Sequence, residues 1–473
     1  MIISLNRNGE IPLRRQLYQT LREQIVTGNL EAGEGLPSTR ELSQRLGISR
    51  NTVSEAYEML ISEGYVISSQ GAPTRVAEGL YIEKNEEDIK KDKEAMEGAG
   101  HPQKGKAVRL PAIADFHTGR PDLREFPKSL WQRMLSNSSQ EVSIEQYGYS
   151  GAQGFAPLRK EIVSWLSRNR GFLADDQDIF ITEGATHALN LVAELLCRDN
   201  SRIIMEDPCH VGMMRAFLNK GCQVIPVSVD EHGIHTEFLK QYEGADPVYI
   251  TPSHQFPLGG ILPASRRAAL IRYAREKQVY LIEDDYDSEF RYCGEPIAPL
   301  YAMDPQRVIY VGTFSKSVFP ALRIGFVILP RALQQKWLHL RTYTDVQNPI
   351  FEQAALTMFL QTRKMDRHVH RMRRIYGERR KVLLEALKEN FGEAWRAYGD
   401  DSGLHIAIEF SGLCFDESFR DLCVERRINI TPVEYHCIEK GKHQDKLLLG
   451  YGHHRPEEIR EGIKLLRNLM KEI

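Results

Sequence analysis

The chain has 473 residues, a formal net charge of -2 and 27% charged residues, which is long for a single core and too neutral for bulk attraction to nucleic acid or an acidic membrane. Its seven cysteines (197, 209, 222, 293, 414, 423, 437) are odd in number and scattered, with no Cys-x-x-Cys pair and no zinc-finger spacing, so a disulfide framework and a metal centre are not expected and a reducing cytoplasm is. No stretch approaches the roughly 18 apolar residues of a membrane helix, and the N-terminus lacks the charged-then-apolar order of a secretion signal.

In PLRRQLYQTLREQIVTG, Leu13, Leu17, Leu21 and Ile25 recur every four residues ahead of Gly28, which predicts a helix buried on one side. LPSTRELSQRLGISRNTVSEAYEMLISEGY adds two more. Ser38 caps the first with Glu41 completing a capping box, Gly47 makes the turn, and Ser49 or Asn51 caps the second. Val53, Ala56, Tyr57, Leu60 and Ile61 form its inward face, which leaves Arg50, Asn51, Thr52 and Ser54 at the outward N-terminal end, where a recognition helix meets base edges and phosphates. YVISSQGAPTRV reads as a two-stranded wing with Gly71 at its tip. A three-helix protein-binding module is the other reading, because residues 1–77 carry eight arginines and eight acidic residues and so no net charge.

Residues 78–112 are dense in Lys, Glu and Asp and poor in large apolar groups; burial there is too small to offset ordering entropy, and a linker is expected. Beyond it, RIIMEDP, QVIPVSVD, DPVYITPSHQFP, QVYLIEDDYD and RVIYVGTFSK alternate with helical patterns. Such alternation predicts a parallel α/β sheet with ligands beyond its carboxyl ends. The chain from about 350 reads as a second subdomain of long helices and a few strands, ending in a helix with Ile459, Ile463, Leu466 and Met470 on one face.

The strand ends carry complementary chemistry. Lys316 is an amine able to form a Schiff base, Asp284 a carboxylate, Arg323 a fork for phosphate, and Tyr286 a hydroxyl two residues from Asp284; pyridoxal phosphate needs a lysine for its aldehyde, a carboxylate for its ring nitrogen and donors for its phosphate. Gly184 before Ala185 and Thr186 supplies a helix start suited to phosphate, and His210 offers a flat ring after a strand end. Taken singly, Lys316 reads as a surface amine, EDDYD as a metal-binding or hydrated acidic loop and His210 as an ordinary half-buried histidine; order and spacing join them.

LPSTRELSQRLGISRNTVSEAYEMLISEGY followed by QGAPTRV, within residues 36–76, resembles the winged helix-turn-helix of GntR-family regulators. YSGAQGFAPLR, TEGATHALNL, EDDYD and GTFSKSVFPALRIGF follow the order of fold-type I aminotransferases. Essentially the whole chain is similar to the MocR family of transcriptional regulators, also called the GabR family. The resemblance implies an α+β winged helix-turn-helix at 1–77, an α/β, pyridoxal-phosphate-dependent fold-type I aminotransferase-like large domain at 113–345, and a smaller α+β subdomain at 346–473. It implies DNA contacts from Arg40, Ser49, Arg50, Asn51, Thr52 and Ser54 and from a wing tip at Gln70 and Gly71. For the cofactor it implies Lys316 as Schiff-base lysine, Asp284 on the ring nitrogen, Tyr286 on the ring hydroxyl, and Arg323, Thr313, Ala185 and Thr186 on the phosphate. His210 takes the stacking position, and Tyr149 reaches the phosphate of the neighbouring subunit in a head-to-tail homodimer.

The departures lie on the substrate side. The position of the aminotransferase carboxylate arginine is Leu448, PCHVGMM and ITPVEYHC hold no arginine, and Asn-Pro-x-Gly is replaced by SHQFPLGG. An unpaired substrate carboxylate in a closed site costs several kcal/mol. The expectation is therefore a cytoplasmic regulator of promoter DNA that senses pyridoxal phosphate, as in vitamin B6 regulation, or an amine adduct of it, with at most slow transaminase half-reactions. The alternative is a working aminotransferase with an accessory DNA-binding head.

Overall fold

The structure, a computed structural model, describes residues 3–7, 9–69, 72–79, 112–149, 151–198, 200–242, 244, 246–292, 294, 297–399 and 401–472. The expected wing tip, Gln70 and Gly71, and linker residues 80–111 lie outside the described residues. The chain forms two compact units, divided between residues 109 and 110.

The first unit holds helices α1 (Leu13–Val26), α2 (Thr39–Leu46) and α3 (Arg50–Ser62) and the antiparallel pair β1 (Val66–Ile67) and β2 (Arg75–Val76). Leu17, Leu21 and Ile25 of α1 are buried against Val53, Ala56 and Leu60 of α3, with Leu42 and the two wing strands closing the core. Ser38 caps α2 by accepting the Glu41 N–H at 3.2 Å, and Gly47 ends it in the left-handed region at φ 62°, where glycine carries no Cβ penalty. Ser49, not Asn51, caps α3, taking the Thr52 N–H at 3.1 Å. Ile61 was expected inside but is 40% exposed; one residue past Leu60, it has rotated about 100° off the buried stripe.

In the second unit β3 (Ala114–Asp115) is followed by helices α4 (Lys128–Glu141) and α5 (Ala156–Arg170), then β4 (Ile179–Thr182), α6 (Ala185–Leu196), β5 (Arg202–Asp207), α7 (Val211–Leu218), β6 (Gln223–Asp230), β7 (Gly233–Ile234) and β8 (Val248–Ile250). Next come α8 (Ala264–Lys277), β9 (Leu281–Asp285), β10 (Val308–Thr313) and β11 (Gly325–Ile328). The eight-stranded sheet has the order β4-β11-β10-β9-β8-β5-β6-β7. It is mixed rather than parallel: β11 runs antiparallel to both β10 and β4. Only residues 314–324 join β10 to β11, and so short a connection cannot hold the crossover that a parallel return requires. Alternation along the strands divides the apolar side chains between two cores. Ile181, Leu281 and Val308 enter one, and Phe180, Ile282 and Ile309 the other, as a sheet covered on both faces requires.

The rest of the unit is α9 (Arg331–Thr344), α10 (Ile350–Gln361), the 28-residue α11 (Lys364–Phe391), β12 (Arg396–Tyr398), β13 (His405–Glu409), α12 (Glu417–Glu425), β14 (Ile428–Asn429), β15 (Thr431–Pro432), β16 (Lys446–Gly450) and α13 (Pro456–Leu469). Strands β12-β13-β16-β15 make a second sheet, on which Ile459, Ile463 and Leu466 of α13 are fully buried. β3 pairs with β14, not with the large sheet. The two sheets are also tied by Asp207, at the end of β5, which accepts the Ile438 and Glu439 N–H groups at 2.7 and 3.0 Å.

Candidate functional site

β10, β9, β8 and β5 are mutually parallel, so their carboxyl ends share one edge, and there a cavity of about 300 Å³ opens. Lys316, Asp284, Tyr286, Thr313, Arg323, Ala185, Thr186 and His210 all line it. Tyr149 does not; it is 89% exposed.

β9 explains how an acidic run becomes part of a site. Side chains alternate along a strand, so Glu283 and Asp285 face one way and Asp284 the other. Glu283 accepts the Leu300 and Tyr301 N–H groups, both at 2.9 Å, and Asp285 pairs with buried Arg170 at 2.7 Å. Among the described residues no cluster could hold a metal ion. Asp284 faces the cavity side. Its Oδ2 accepts the Tyr249 hydroxyl at 2.7 Å, while Oδ1 is buried with no hydrogen-bond partner. Burial, with neighbouring Asp285 and Asp287, pushes its pKa up to about 7 against the pull of Tyr249 and Lys316. Such a carboxyl is incomplete until a donor or a cation meets Oδ1.

Lys316 sits three residues beyond β10, its Nζ donating to the Gly119 carbonyl at 2.5 Å. A Cβ on Gly119 would stand 2.8 Å from that nitrogen. Burial lowers the Lys316 pKa although Asp287 and Asp284 raise it, which favours the neutral, nucleophilic amine. Across the cavity His210 caps α7, its Nδ1 accepting the Gly212 N–H at 3.1 Å. Burial, then Lys316, brings its pKa down to about 4, so the ring is neutral at pH 7.

At the α6 end, Gly184 (φ 83°) precedes Ala185, and no side chain caps the helix. Its first N–H groups face an anion site by default. Arg323 donates to the Glu183 carbonyl, and its guanidinium carbon and both terminal nitrogens lie 3.1 to 3.2 Å from where a Gly184 Cβ would be. Arg323 itself has φ 52°. Thr313 Oγ1 accepts the Ser315 N–H at 3.2 Å, turning the chain toward Lys316.

Sequence reasoning missed several residues here. Tyr249 lay unremarked in DPVYITPS, although its place on the strand beside β9 makes it Asp284's neighbour. His254 and Asp287 were within quoted stretches: His254 Nδ1 is 3.0 Å from Asp287 Oδ1 and 2.9 Å from the Tyr286 hydroxyl. Burial lowers the His254 pKa, but the charge and hydrogen bond of Asp287 outweigh it and the pKa is raised. Arg120 and His405 also line the cavity, with no sequence signal for either. Leu448 is wholly buried within the second sheet.

In the first unit Arg40, Ser49, Arg50 and Asn51 are exposed and Thr52 and Ser54 half-buried. Arg50 Nε donates to Thr39 Oγ1 at 3.2 Å, tying the starts of α2 and α3.

Residues 13–76 match the family of bacterial regulatory proteins called gntR, and residues 125–464 match aminotransferase class I and II. The probable rhizopine catabolism regulatory protein MocR of Rhizobium meliloti is 30% identical over 480 residues, covering 99% of this chain and 95% of the relative. The chain belongs to the MocR/GabR family of transcriptional regulators. Another relative in this MocR-type set, the pyridoxine biosynthesis transcriptional regulator PdxR of Corynebacterium glutamicum, is 31% identical, covering 97% of this chain and 96% of its own. Among solved structures, α-aminoadipate aminotransferase LysN of Thermus thermophilus, complexed with N-(5'-phosphopyridoxyl)-L-leucine, aligns at TM-score 0.69 and 25% identity over 76% of this chain and 92% of its own. Kynurenine aminotransferase of Pyrococcus horikoshii aligns at TM-score 0.70 and 24% identity over 82% and 97%. The fold is thus a GntR winged helix followed by a fold-type I aminotransferase-like domain. No helix among the described residues is long and apolar enough to cross a membrane.

One expected result follows from the buried acids. Glu206 and Glu283 are pushed up to about 7, like Asp284, and Glu289 to about 8, burial being the main cause for each. A carboxyl whose pKa is raised by folding binds more protons folded than unfolded, so stability falls as pH rises from roughly 5 to 8. The melting temperature of the ligand-free protein should drop by several degrees over that range; a flat or rising profile would mean that these groups are hydrated.

Proposed function

We propose that this MocR-family regulator binds promoter DNA through the outward start of α3 and senses pyridoxal phosphate, or an amine adduct of it, in the cavity at Lys316. The observation that carries the reading is the unpartnered oxygen of Asp284, which lines the same cavity as a half-buried, carbonyl-held lysine and an uncapped helix start. Those three features fit the ring nitrogen, aldehyde and phosphate of one molecule. When bound, pyridoxal phosphate supplies an aldehyde for an amine and a ring that draws electrons. The chain's part is to hold it: Lys316 at the aldehyde, Asp284 at the ring nitrogen, Tyr286 at the ring hydroxyl, His210 against the ring, and Arg323, Thr313, Ala185 and Thr186 at the phosphate. The PdxR relative supports vitamin B6 regulation as the physiological context.

The exposed run of Ile144, Tyr147 and Tyr149 supports a homodimer in which Tyr149 completes the partner's site, and a reduced-thiol, cytoplasmic protein fits the free cysteines. A working aminotransferase is the second reading, favoured by the intact set of Lys316, Asp284 and Tyr286. Against it stands the anion chemistry of the cavity. Its two lining arginines are engaged, Arg120 with Asp115 at 2.5 Å and Arg323 with the Glu183 carbonyl, and at most slow half-reactions are expected.

The test is promoter binding by the full chain, first without and then with pyridoxal phosphate, followed by a panel of amines and amino acids. Pyridoxal phosphate alone should change promoter affinity roughly fivefold or more, the lower range of allosteric coupling. Unchanged affinity together with turnover of about 1 per second or faster would leave the enzyme reading in its place.

A further inference from the structure

Tyr286 lies one residue past β9 and lines the cavity with Lys316. Its hydroxyl makes one contact among the described residues, 2.9 Å to His254 Nδ1. That same nitrogen is 3.0 and 3.1 Å from the two oxygens of Asp287, and both His254 and Asp287 are almost fully buried. An ionised carboxylate only accepts hydrogen bonds. The hydrogen between His254 and Asp287 must therefore sit on Nδ1, and a ring nitrogen that carries a hydrogen has no lone pair to offer. It follows that the Tyr286 oxygen shares the Nδ1 hydrogen as an acceptor, which leaves the tyrosine's own hydrogen unclaimed by the pair.

We infer that His254 and Asp287 are positioning residues that keep the Tyr286 hydroxyl free to act as a donor into the cavity. The inference rests on the reading of Tyr286 as the partner of the ring hydroxyl. It gains weight from the loop that carries His254: the residue before Pro257 is Phe256, where the aminotransferase motif has an amide, and a phenyl ring donates nothing. Tyr286 must then supply the donor that such an asparagine would share. The fold leaves room for this pair at one point. A Cβ on Gly403 would come within 2.3 Å of His254 Cε1 and 2.6 Å of Asp287 Oδ2, so a glycine at φ 80°, two residues before β13, is what lets the ring and carboxylate meet.

Reconstitution of full-chain variants with pyridoxal phosphate tests this by two readouts, the dissociation constant and the pH midpoint of the bound cofactor's visible absorbance. A donor to an oxygen that carries negative charge favours the deprotonated state, so its loss raises the midpoint. Tyr286→Phe should raise it by about 1 unit and weaken binding roughly tenfold, the effect of one hydrogen bond to a charged group. His254→Leu should reproduce at least half of both changes, because the hydroxyl then turns to Asp287. Asp287→Asn should do the same: without the carboxylate the ring hydrogen can shift to Nε2, and the bare Nδ1 lone pair then captures the tyrosine hydrogen. Loss of a nearby negative charge by itself moves the midpoint down, so an upward shift in Asp287→Asn separates the two causes. His254→Asn, which puts an amide donor close to where Nδ1 stood, should stay close to the parent protein.

Parent-like midpoints and affinities in His254→Leu and Asp287→Asn, with Tyr286→Phe shifted, would overturn the inference and leave the cofactor reading intact. An unshifted Tyr286→Phe would remove its premise. Should His254→Leu fail to melt cooperatively, Asp287→Asn is isosteric and His254→Asn adds no volume, and the contrast between them decides.

Discussion

Lys316→Ala should abolish covalent retention of pyridoxal phosphate: no visible absorbance band after gel filtration, and no pyridoxyl label on the peptide containing residue 316 after borohydride reduction. Affinity should fall roughly a hundredfold or more, about 2.7 kcal/mol. The size follows from the site. Lys316 is the amine that burial biases toward its neutral form, and no other lysine lines the cavity among the described residues. The carbonyl of Gly119, rather than a carboxylate, holds Nζ, so the amine exchanges one neutral hydrogen bond for a covalent link and breaks no ion pair. A band that survives the substitution would show that another amine forms the link. The variant should still melt cooperatively, since removing a half-buried amine that has no ion-pair partner among the described residues leaves no uncompensated charge behind.

Arg50→Ala should weaken promoter binding by about 5- to 150-fold, the roughly 1 to 3 kcal/mol of a lost base-edge contact, while the cofactor band and its affinity stay unchanged. Arg50 is exposed at the first position of α3 and fastened there through Thr39, so the substitution removes a guanidinium without disturbing the buried face. A salt series separates two roles. If Arg50 only neutralises a phosphate, the slope of log affinity against log salt drops by about 1 and weakening is uniform across DNA sequences; if it reads a base, discrimination is lost as well. Undiminished affinity in the variant would remove α3 from the proposed interface.

How far the sequence reached depended on how local each signal was. The three helices of the first unit were legible because cap, turn and stripe lie within a few residues of one another, and Ile61 strayed only because a single helical step carries a side chain off the buried stripe. Lys316, Asp284 and Tyr286 were legible because each stands at or just past a strand end, where parallel strands bring such ends together, and Arg323 because it stands just before β11, whose antiparallel run starts at that same edge. What stayed hidden depends on distance along the chain. Tyr249 satisfies an oxygen 35 residues away, β3 joins a strand more than 300 residues later, and Gly403, just before β13, makes space for His254 in the loop after β8. The return direction of β11 could have been read from the short segment 314–324. Residues such as Tyr149, whose expected contact is with a second copy of the chain, have no partner in one chain's sequence or fold.

The backbone at Arg323 has a thermodynamic consequence of its own. A residue with a Cβ at φ 52° is held where glycine would rest without strain, a penalty of roughly 1 to 2 kcal/mol. Arg323→Gly should therefore raise the melting point of the ligand-free protein while stripping the helix start of its guanidinium. The position sacrifices resilience for charge, and a search for heat-resistant versions of this protein would be drawn to it first and would return proteins that hold their shape but lack the guanidinium proposed here to hold a phosphate.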